Sequence, residues 1–336
     1  MKKFISLILI VVIALSVTGC KAREPIETQK KYTLTKGVNL SALEDIFKPY
    51  NFLHTEKTYS EIAKKGFDHV RLPVDFRNYC DKEGNITDSF YKNLDKFINM
   101  ANRNGLIVIL DFHGWYDFNV GRGDNVLFKK IWKNLAEHYK NHSTESLFFE
   151  LINEPHTTEG GDLDAQTLWN LQNEAIGEIR EIDPLRTIVI AMPEWNGVWT
   201  LKDYKDYGYD NLIIALHTYE PLDFTHQGEA WAGKGDVKLK LTDKMLKSLT
   251  KQLEDIASFK ERTGLRVILN EFGLNTTGYI KDQDVSDYIV TVVEYTKEHD
   301  IPWTYWAYSG SFGVYDIGFL GFGEGWRQNV IDALMR

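Results

Sequence analysis

Two hydrophobic rhythms alternate along the chain. Short runs rich in β-branched and aromatic residues recur at 35–39, 69–72, 107–111, 147–151, 187–191, 212–217, 266–270 and 303–306. Between them apolar residues return at spacings of three and four, as in Phe90-Leu94-Phe97-Ile98-Ala101, Phe128-Ile131-Trp132-Leu135, Leu168-Leu171-Ala175-Ile179 and Leu246-Leu249-Leu253-Ile256. The first rhythm is that of buried strands and the second that of helices with one apolar face. Gly66, Gly105 and Gly264 sit just past helical stretches, where a left-handed C-cap favours glycine. Eight strands, each followed by a helix and closing at residues 326–335, predict an α/β fold of the (β/α)8 TIM-barrel type in one catalytic domain. No glycine-rich phosphate motif follows the first strand, which weakens a dinucleotide-binding sheet.

The N-terminus follows another pattern. Lys2 and Lys3 precede an apolar stretch over residues 4–15, too short to span a bilayer comfortably, so residues 1–19 are expected to be a signal peptide. Val17-Thr18-Gly19-Cys20 resembles a bacterial lipobox, which makes Cys20 the expected lipidation site. The alternative is an ordinary signal peptide with an incidental cysteine. Residues 20–31 read as a lipidated tether and 32–336 as the catalytic domain, placing the domain outside the cytoplasm on a bacterial membrane surface.

Of 336 residues, 317 follow residue 19, room for one large barrel. The formal charge is −9, or −11 without Lys2 and Lys3. Such an acidic chain argues against nucleic acid as partner, because phosphate binding needs clustered Lys and Arg. With Cys20 acylated, Cys80 has no disulfide partner and reads as a buried or half-buried thiol. A monomer without cofactor is expected.

The candidate chemistry lies where the strands end. Asn153-Glu154-Pro155 follows Leu147-Phe148-Phe149, and Asn270-Glu271-Phe272-Gly273 follows Val267-Ile268-Leu269. A buried carboxylate is costly without polar company, and two glutamates facing one site are what a retaining glycosidase needs. Asn39, Arg71, His113, His217, Tyr219 and Trp306 fall on or just after strands one, two, three, six, six and eight, on the side where barrels carry their chemistry. Each residue alone has a plainer reading: Arg71 as a structural ion-pair partner, either histidine as a satisfied polar group, Glu150 as part of the barrel wall. Metal binding is not expected, because no His-x-His or His-Glu-x-x-His spacing occurs.

Taken in order, Gly37-Val38-Asn39, Val70-Arg71-Leu72-Pro73, Leu110-Asp111-Phe112-His113, Asn153-Glu154-Pro155, His217-Thr218-Tyr219, Asn270-Glu271-Phe272-Gly273 and Trp306 resemble glycoside hydrolase family 5, the old cellulase family A, from about Thr33 onward. The resemblance implies Glu154 as acid/base and Glu271 as nucleophile, with Arg71, His113, Asn153, His217, Tyr219 and Trp306 in support. Several expectations accompany it. Pro155 should hold Glu154 in an extended backbone, Arg71 and Tyr219 should keep Glu271 charged, Asn153 should bond the sugar 2-hydroxyl, and Trp306 should floor the cleavage point. The two carboxyl groups should stand roughly 5 to 5.5 Å apart.

Substrate choice is less constrained. The segment 219–228 resembles a loop of bacterial endoglucanase-type members, so a β-1,4-glucan is the first expectation. Mannan, xyloglucan and mixed-linkage glucan remain open, since loops set specificity on a shared scaffold. So do a transglycosylase, which uses the same covalent intermediate, and a non-catalytic glycan-binding lipoprotein. Trp115, Trp195, Trp199, Trp231 and Trp306 lie in or near strand-end loops and suit stacking on pyranose rings, with His226 beside them. Trp132, Trp169 and Trp326 are expected in amphipathic helices as core.

Overall fold

The computed structural model describes residues 34–40, 54–113, 124–156, 164–318 and 324–336, all within the compact unit Thr33–Arg336. The expected signal segment 1–19, Cys20, the remaining tether to residue 31 and Trp115 lie outside the described residues. Eight parallel strands form a closed barrel in sequence order: β1 (Lys36–Asn39), β2 (His69–Val74), β3 (Ile107–Phe112), β4 (Leu147–Glu150), β5 (Ile188–Ala191), β6 (Leu212–His217), β7 (Val267–Phe272) and β8 (Trp303–Tyr305). β8 pairs with β1 to close it, Gly37 opposite Thr304. Every expected strand is present, β6 with the expected bounds and the others with at least one end shifted by one or two residues.

Helices α1 (Glu56–Lys64), α2 (Asp88–Arg103), α3 (Asp124–Tyr139) and α4 (Ala165–Ile182) follow the first four strands. After β5 the pattern breaks: α5 (Pro193–Asn196) is a single turn, followed by a 3-10 stretch at Val198–Asp203. The physical reason lies in residues 192–211, which lack a sustained run of apolar positions at three and four and so cannot cover the barrel with a long helix. One-turn α6 (Leu222–Thr225) precedes α7 (Asp243–Thr263), and α8 (Asp282–Glu298) leads into β8. α7 begins with the Thr242 hydroxyl accepting from the Met245 amide and ends at Gly264, whose φ of +69 a side chain would oppose. Gly66 and Gly105 also take positive φ, as expected. A two-stranded ribbon, β9 (Tyr315–Asp316) with β10 (Gly325–Trp326), and α9 (Gln328–Leu334) complete the unit. Trp326 therefore lies on the ribbon, not in a helix; it is half-buried edge-on to Tyr308 and Tyr315.

Helix-borne side chains secure the strand ends that carry the chemistry. The Trp132 indole of α3 donates to the Leu151 carbonyl at 3.0 Å, and Gln172 of α4 both donates to the Ala191 carbonyl and accepts from its amide. These bonds satisfy backbone groups that the barrel leaves open as its strands separate. Gly37 is required by packing, because a Cβ there would collide with the His69 ring inside the barrel. Cys80 is half-buried. Among the described residues no helix is long and apolar enough to cross a membrane.

Candidate active site

The barrel interior turns polar towards the C-terminal strand ends, and Arg71 is its hub. Its side chain is fully buried. Nε and Nη2 donate to Glu150 at 2.7 and 2.8 Å, Nη2 also to Asn153 Oδ1 at 2.7 Å, and Nη1 to Asn39 Oδ1 at 2.9 Å and Glu271 Oε1 at 2.5 Å. Asp111 Oδ2 lies 2.9 Å from Nη2. Burial alone would lower the pKa of the guanidinium, but Asp111, Glu150 and Glu271 together hold it well above the ordinary arginine value. Glu150 also accepts from Asn270, which in turn accepts from the Thr304 hydroxyl. Arg71 is thus both an ion-pair partner within the barrel and the group that holds Glu271, so its two sequence readings describe one network.

Register breaks bring Glu271 to the mouth. β6 and β7 pair Leu216 with Leu269 and then, across a shift, His217 with Glu271. A second shift separates Leu269 from Phe272 against β8. Such irregularities re-aim side chains at barrel rims. Both Glu271 oxygens are engaged: Arg71 holds Oε1, and the Tyr219 hydroxyl donates to Oε2 at 2.8 Å. Burial, reinforced by Glu271, pushes the Tyr219 phenol well above its ordinary range, so it remains a donor. Gly273 completes the motif for a steric reason, since the Trp306 carbonyl occupies the place of a Cβ.

Glu154 is held differently. Its φ is +43, in the left-handed region, which corrects the extended backbone expected from Pro155. The chain turns sharply after β4, and that turn outweighs the steric preference imposed by proline, a local strain of order 1–3 kcal/mol. The Glu154 side chain is 22% exposed, against 5% for Glu271. Burial by the cleft walls raises its pKa, opposed by His113, Arg71 and His156. His217 Nδ1 lies 2.8 Å from Glu154 Oε1 and 3.7 Å from Glu271 Oε2. Burial drives the His217 imidazole down to about 4, so at neutral pH it is uncharged. Glu154, His217 and Glu271 each bring one donor atom within 4.8 Å of the others. With both Glu271 oxygens engaged, the trio is a carboxylate pair bridged by an imidazole rather than a set of open ligands.

A cleft of about 810 Å³ opens over this pair. His113, Asn153, His217, Tyr219 and Trp306 line it together with both glutamates, while Asn39 and Arg71 lie beneath. His113 stacks on Trp306 at 5.5 Å and 6°, its Nδ1 2.8 Å from Asp111. Further along, His226 packs against Tyr219, Phe312 and Trp231, and Trp231 is 74% exposed with its indole N–H donating to Glu229 at 2.6 Å. His226 and Trp231 both line the cleft. Trp195 and Trp199 line it as well, from the loop after β5. Sequence reasoning gave that strand end no polar residue and missed Asn196, Gln252 and Phe312, whereas Leu222, which lines the cleft, lies within the 219–228 segment it singled out. Only Asn196-Gly197, a turn-forming dipeptide just past a strand, offered a signal.

Comparison with known proteins agrees with this geometry. The family model described as cellulase (glycosyl hydrolase family 5) matches residues 26–311. Endoglucanase 3 of Fibrobacter succinogenes is 28% identical over 350 aligned residues, covering 88% of this chain and 52% of that protein. Cellodextrinase A of Ruminococcus flavefaciens is 30% identical over 188 residues, 52% of this chain and 54% of its own length. The chain thus spans about half the length of these two relatives. Among solved structures, the cellulose synthase subunit Z of Clostridioides difficile superposes with a TM-score of 0.82 at 27% identity, covering 90% of this chain and all of that one. Thermotoga maritima Cel5A with cellobiose gives 0.81 at 28% identity, covering 90% and 97%, and a mannotriose complex of the same enzyme gives 0.81 at 27% with the same coverage. Since the matched residues make up well over half of the chain and the fold is that of these structures, the protein belongs to the cellulase family, glycosyl hydrolase family 5.

Proposed function

We propose that the protein is a retaining endo-β-1,4-glucanase in which Glu154 is the acid/base and Glu271 the nucleophile. One observation carries this reading: oxygens of the two carboxylates, one in the turn after β4 and one near the end of β7, approach within 4.8 Å at one barrel mouth, and both glutamates line its cleft. Inverting enzymes need roughly 6.5–9.5 Å between carboxyl groups to admit a water, and retaining ones about 5–5.5 Å. In the first step Glu154 gives its proton to the glycosidic oxygen while a Glu271 oxygen bonds to the anomeric carbon and the C–O bond to the leaving sugar breaks. In the second, Glu154 takes a proton from water, whose oxygen displaces Glu271 and regenerates both groups.

The surroundings divide the labour. Burial raises Glu154 towards the protonated state an acid needs. Arg71 and Tyr219 hold the Glu271 carboxylate by charge-assisted bonds. Asn153, whose Oδ1 already accepts from Arg71, meets the sugar 2-hydroxyl through its amide N–H groups. Trp306, backed by His113, supplies an apolar face to the ring at the cleavage point.

β-1,4-Glucan is the first substrate because relatives such as Endoglucanase 3 and Endoglucanase C are named as endoglucanases, and Trp195, Trp199, Trp231 and Trp306 line the cleft that holds both glutamates. Mannan is the second, since the similar Cel5A of Thermotoga maritima was solved with cellobiose and with mannotriose. Product analysis on carboxymethyl-cellulose, glucomannan and lichenan tests the choice: internal cleavage of the first with a rapid fall in viscosity supports it, and release of mannosyl products alone replaces it. Raising the concentration of an oligosaccharide acceptor reads any transglycosylation in the same assay.

The proposal extends to the N-terminus, where residues 1–19 would be removed and Cys20 acylated to tether the monomeric domain to the cell envelope. Cys20→Ala should move the enzyme to the soluble fraction with unchanged activity per molecule. Labelled fatty acid still incorporated into that variant would refute the anchor.

A further inference from the structure

If Glu154 is the acid/base proposed above, one of its oxygens must carry a proton to the leaving group while the other stays out of the transfer. The residue that arranges this sits at the end of β5. Asn196 is fully buried, and its Nδ2 lies 3.2 Å from His217 Nε2. It is the last of three successive residues in the left-handed region, Glu194, Trp195 and Asn196 at φ +51, +59 and +54. Side chains rarely adopt that conformation, and a run of three persists only where surrounding contacts enforce it. Those contacts are present. The Trp195 amide donates to the Pro155 carbonyl, the Trp195 ring stacks on His156 at 4.6 Å, and Gly197 bridges to His217. The segment is clamped between the Glu154 turn and β6.

We propose that Asn196 is a positioning residue that fixes which nitrogen of His217 carries the proton, and through it which oxygen of Glu154 carries the catalytic one. In this orientation Asn196 Oδ1 has no protein partner and Nδ2 faces the ring; an amide nitrogen only donates, so Nε2 is the bare nitrogen and the single ring proton sits on Nδ1. Nδ1–H then donates to Glu154 Oε1, 2.8 Å away, whether or not Glu154 is protonated. Oε1 is committed as an acceptor, and Oε2 is left to pass the proton to the leaving oxygen and to recover it from water. With the amide reversed, Oδ1 would accept from Nε2–H, and a bare Nδ1 would draw the Glu154 proton away from the substrate. Only neutral His217 serves this role. Around it stand Glu154 and Glu150 from β4 and its turn, Glu271 from β7, Arg71 from β2 and His113 from β3. Burial is the largest influence keeping it uncharged, with Arg71 and His113 assisting and the two carboxylates Glu271 and Glu150 opposing.

Imidazole-15N spectra of the wild-type enzyme between about pH 5 and 8 test the first half, with the His217 signals assigned by their loss in His217→Gln. The expected pattern is a protonated Nδ1 and a bare Nε2; a protonated Nε2 on wild-type His217 overturns the proposal. Asn196→Asp tests the second half. Its carboxylate only accepts, so it demands a proton on Nε2 and makes His217 a cation beside Glu154, lowering the Glu154 pKa. The alkaline limb of kcat/KM should move to lower pH by about one unit. A variant that is merely slower, with the limb unmoved and Nε2 still bare, assigns Asn196 a structural part only and overturns the proposal. If Asn196→Asp fails to fold by circular dichroism, the wild-type spectrum still decides. The ring spectrum reads the tautomer whatever Glu154 does, so loss of the acid/base assignment in substrate assays is distinguishable from loss of the Asn196 link.

Discussion

Glu154 and Glu271 are identical side chains at two strand ends of one barrel mouth, yet the protein treats them oppositely. Glu271 is 5% exposed, ion-paired to a buried arginine and bonded to a phenol, with both oxygens engaged. Glu154 is 22% exposed, strained at the backbone and partnered by a neutral imidazole, and burial raises its pKa. One environment fixes both oxygens of a carboxylate between an arginine and a phenol; the other leaves a carboxyl partly exposed, with burial raising its pKa. In the proposed mechanism, the division of labour between nucleophile and acid is set by what surrounds each glutamate, not by the residue type.

Removing the nucleophile should break the comparison most completely. Glu271→Ala is expected to lower kcat by at least ~10^4-fold on every substrate, natural or activated, because no other group can form the covalent intermediate. Steady-state assays on both substrate types check this, and an activated substrate spared by the mutation would move the nucleophile elsewhere.

Glu154→Ala should separate the two roles. Cleavage of natural polysaccharide is expected to fall ~10^2–10^4-fold, while formation of the glycosyl-enzyme from aryl glycosides with good leaving groups is nearly spared. Equal losses at that first step would give Glu154 another task. The Glu271 side shows its difference in folding instead. Arg71→Met leaves Asp111, Glu150 and Glu271 without their shared cation in a buried site, and about 3–5 kcal/mol of stability should be lost. Denaturant midpoints measure it, and a variant as stable as the parent would mean the network carries no structural load.

pH dependence follows from the acid side. As the proposed acid, Glu154 must be protonated to work, so activity should be full below its raised pKa and fall as pH climbs through it, placing the alkaline limb of kcat/KM above the ordinary glutamate range of about 4.3. His217, lowered to about 4, is uncharged across that range and adds no second limb there. An alkaline limb that persists unchanged for an aryl glycoside in Glu154→Ala would assign it to another group.

The smallest effect belongs furthest from the chemistry. Glu229 accepts from the Trp231 indole and from Asn275 at 2.9 Å, which fixes an exposed ring at the cleft edge. Trp231→Ala should raise KM for long oligosaccharides ~5-fold with kcat little changed, and Glu229→Gln less, since ring contacts of this kind are worth about 1 kcal/mol. Unchanged KM across chain lengths would remove Trp231 from the substrate path.

Much of this difference was legible in the chain. The strands were readable because runs such as Leu147-Phe148-Phe149 and Val267-Ile268-Leu269 are apolar on both faces, as buried parallel strands are. Both glutamates stood just past those runs, and the barrel's polarity told which end mattered. Local pattern does not carry three-dimensional company, however. Glu150 sits in an apolar run and reads as wall, although through Asn270 it links Arg71 to β7. The turn that drives Glu154 to positive φ against its proline is set by the packing around it. Asn196 lay in a stretch without hydrophobic period, and its meaning depends on a histidine 21 residues away on the next strand. Trp326 was misplaced because three apolar residues near a terminal helix look the same whether or not the helix has begun.

The central claim is that Glu271 forms the covalent bond and Glu154 does not. Incubation with a 2-fluoro glycoside bearing a good leaving group, followed by peptide mass mapping and NMR of the first anomer released from a β-linked oligosaccharide, tests it directly. The account predicts sugar on the peptide containing Glu271, no label in Glu271→Ala, and a β-anomer as first product. Label on the peptide of Glu154, or an α-anomer released first, would contradict it.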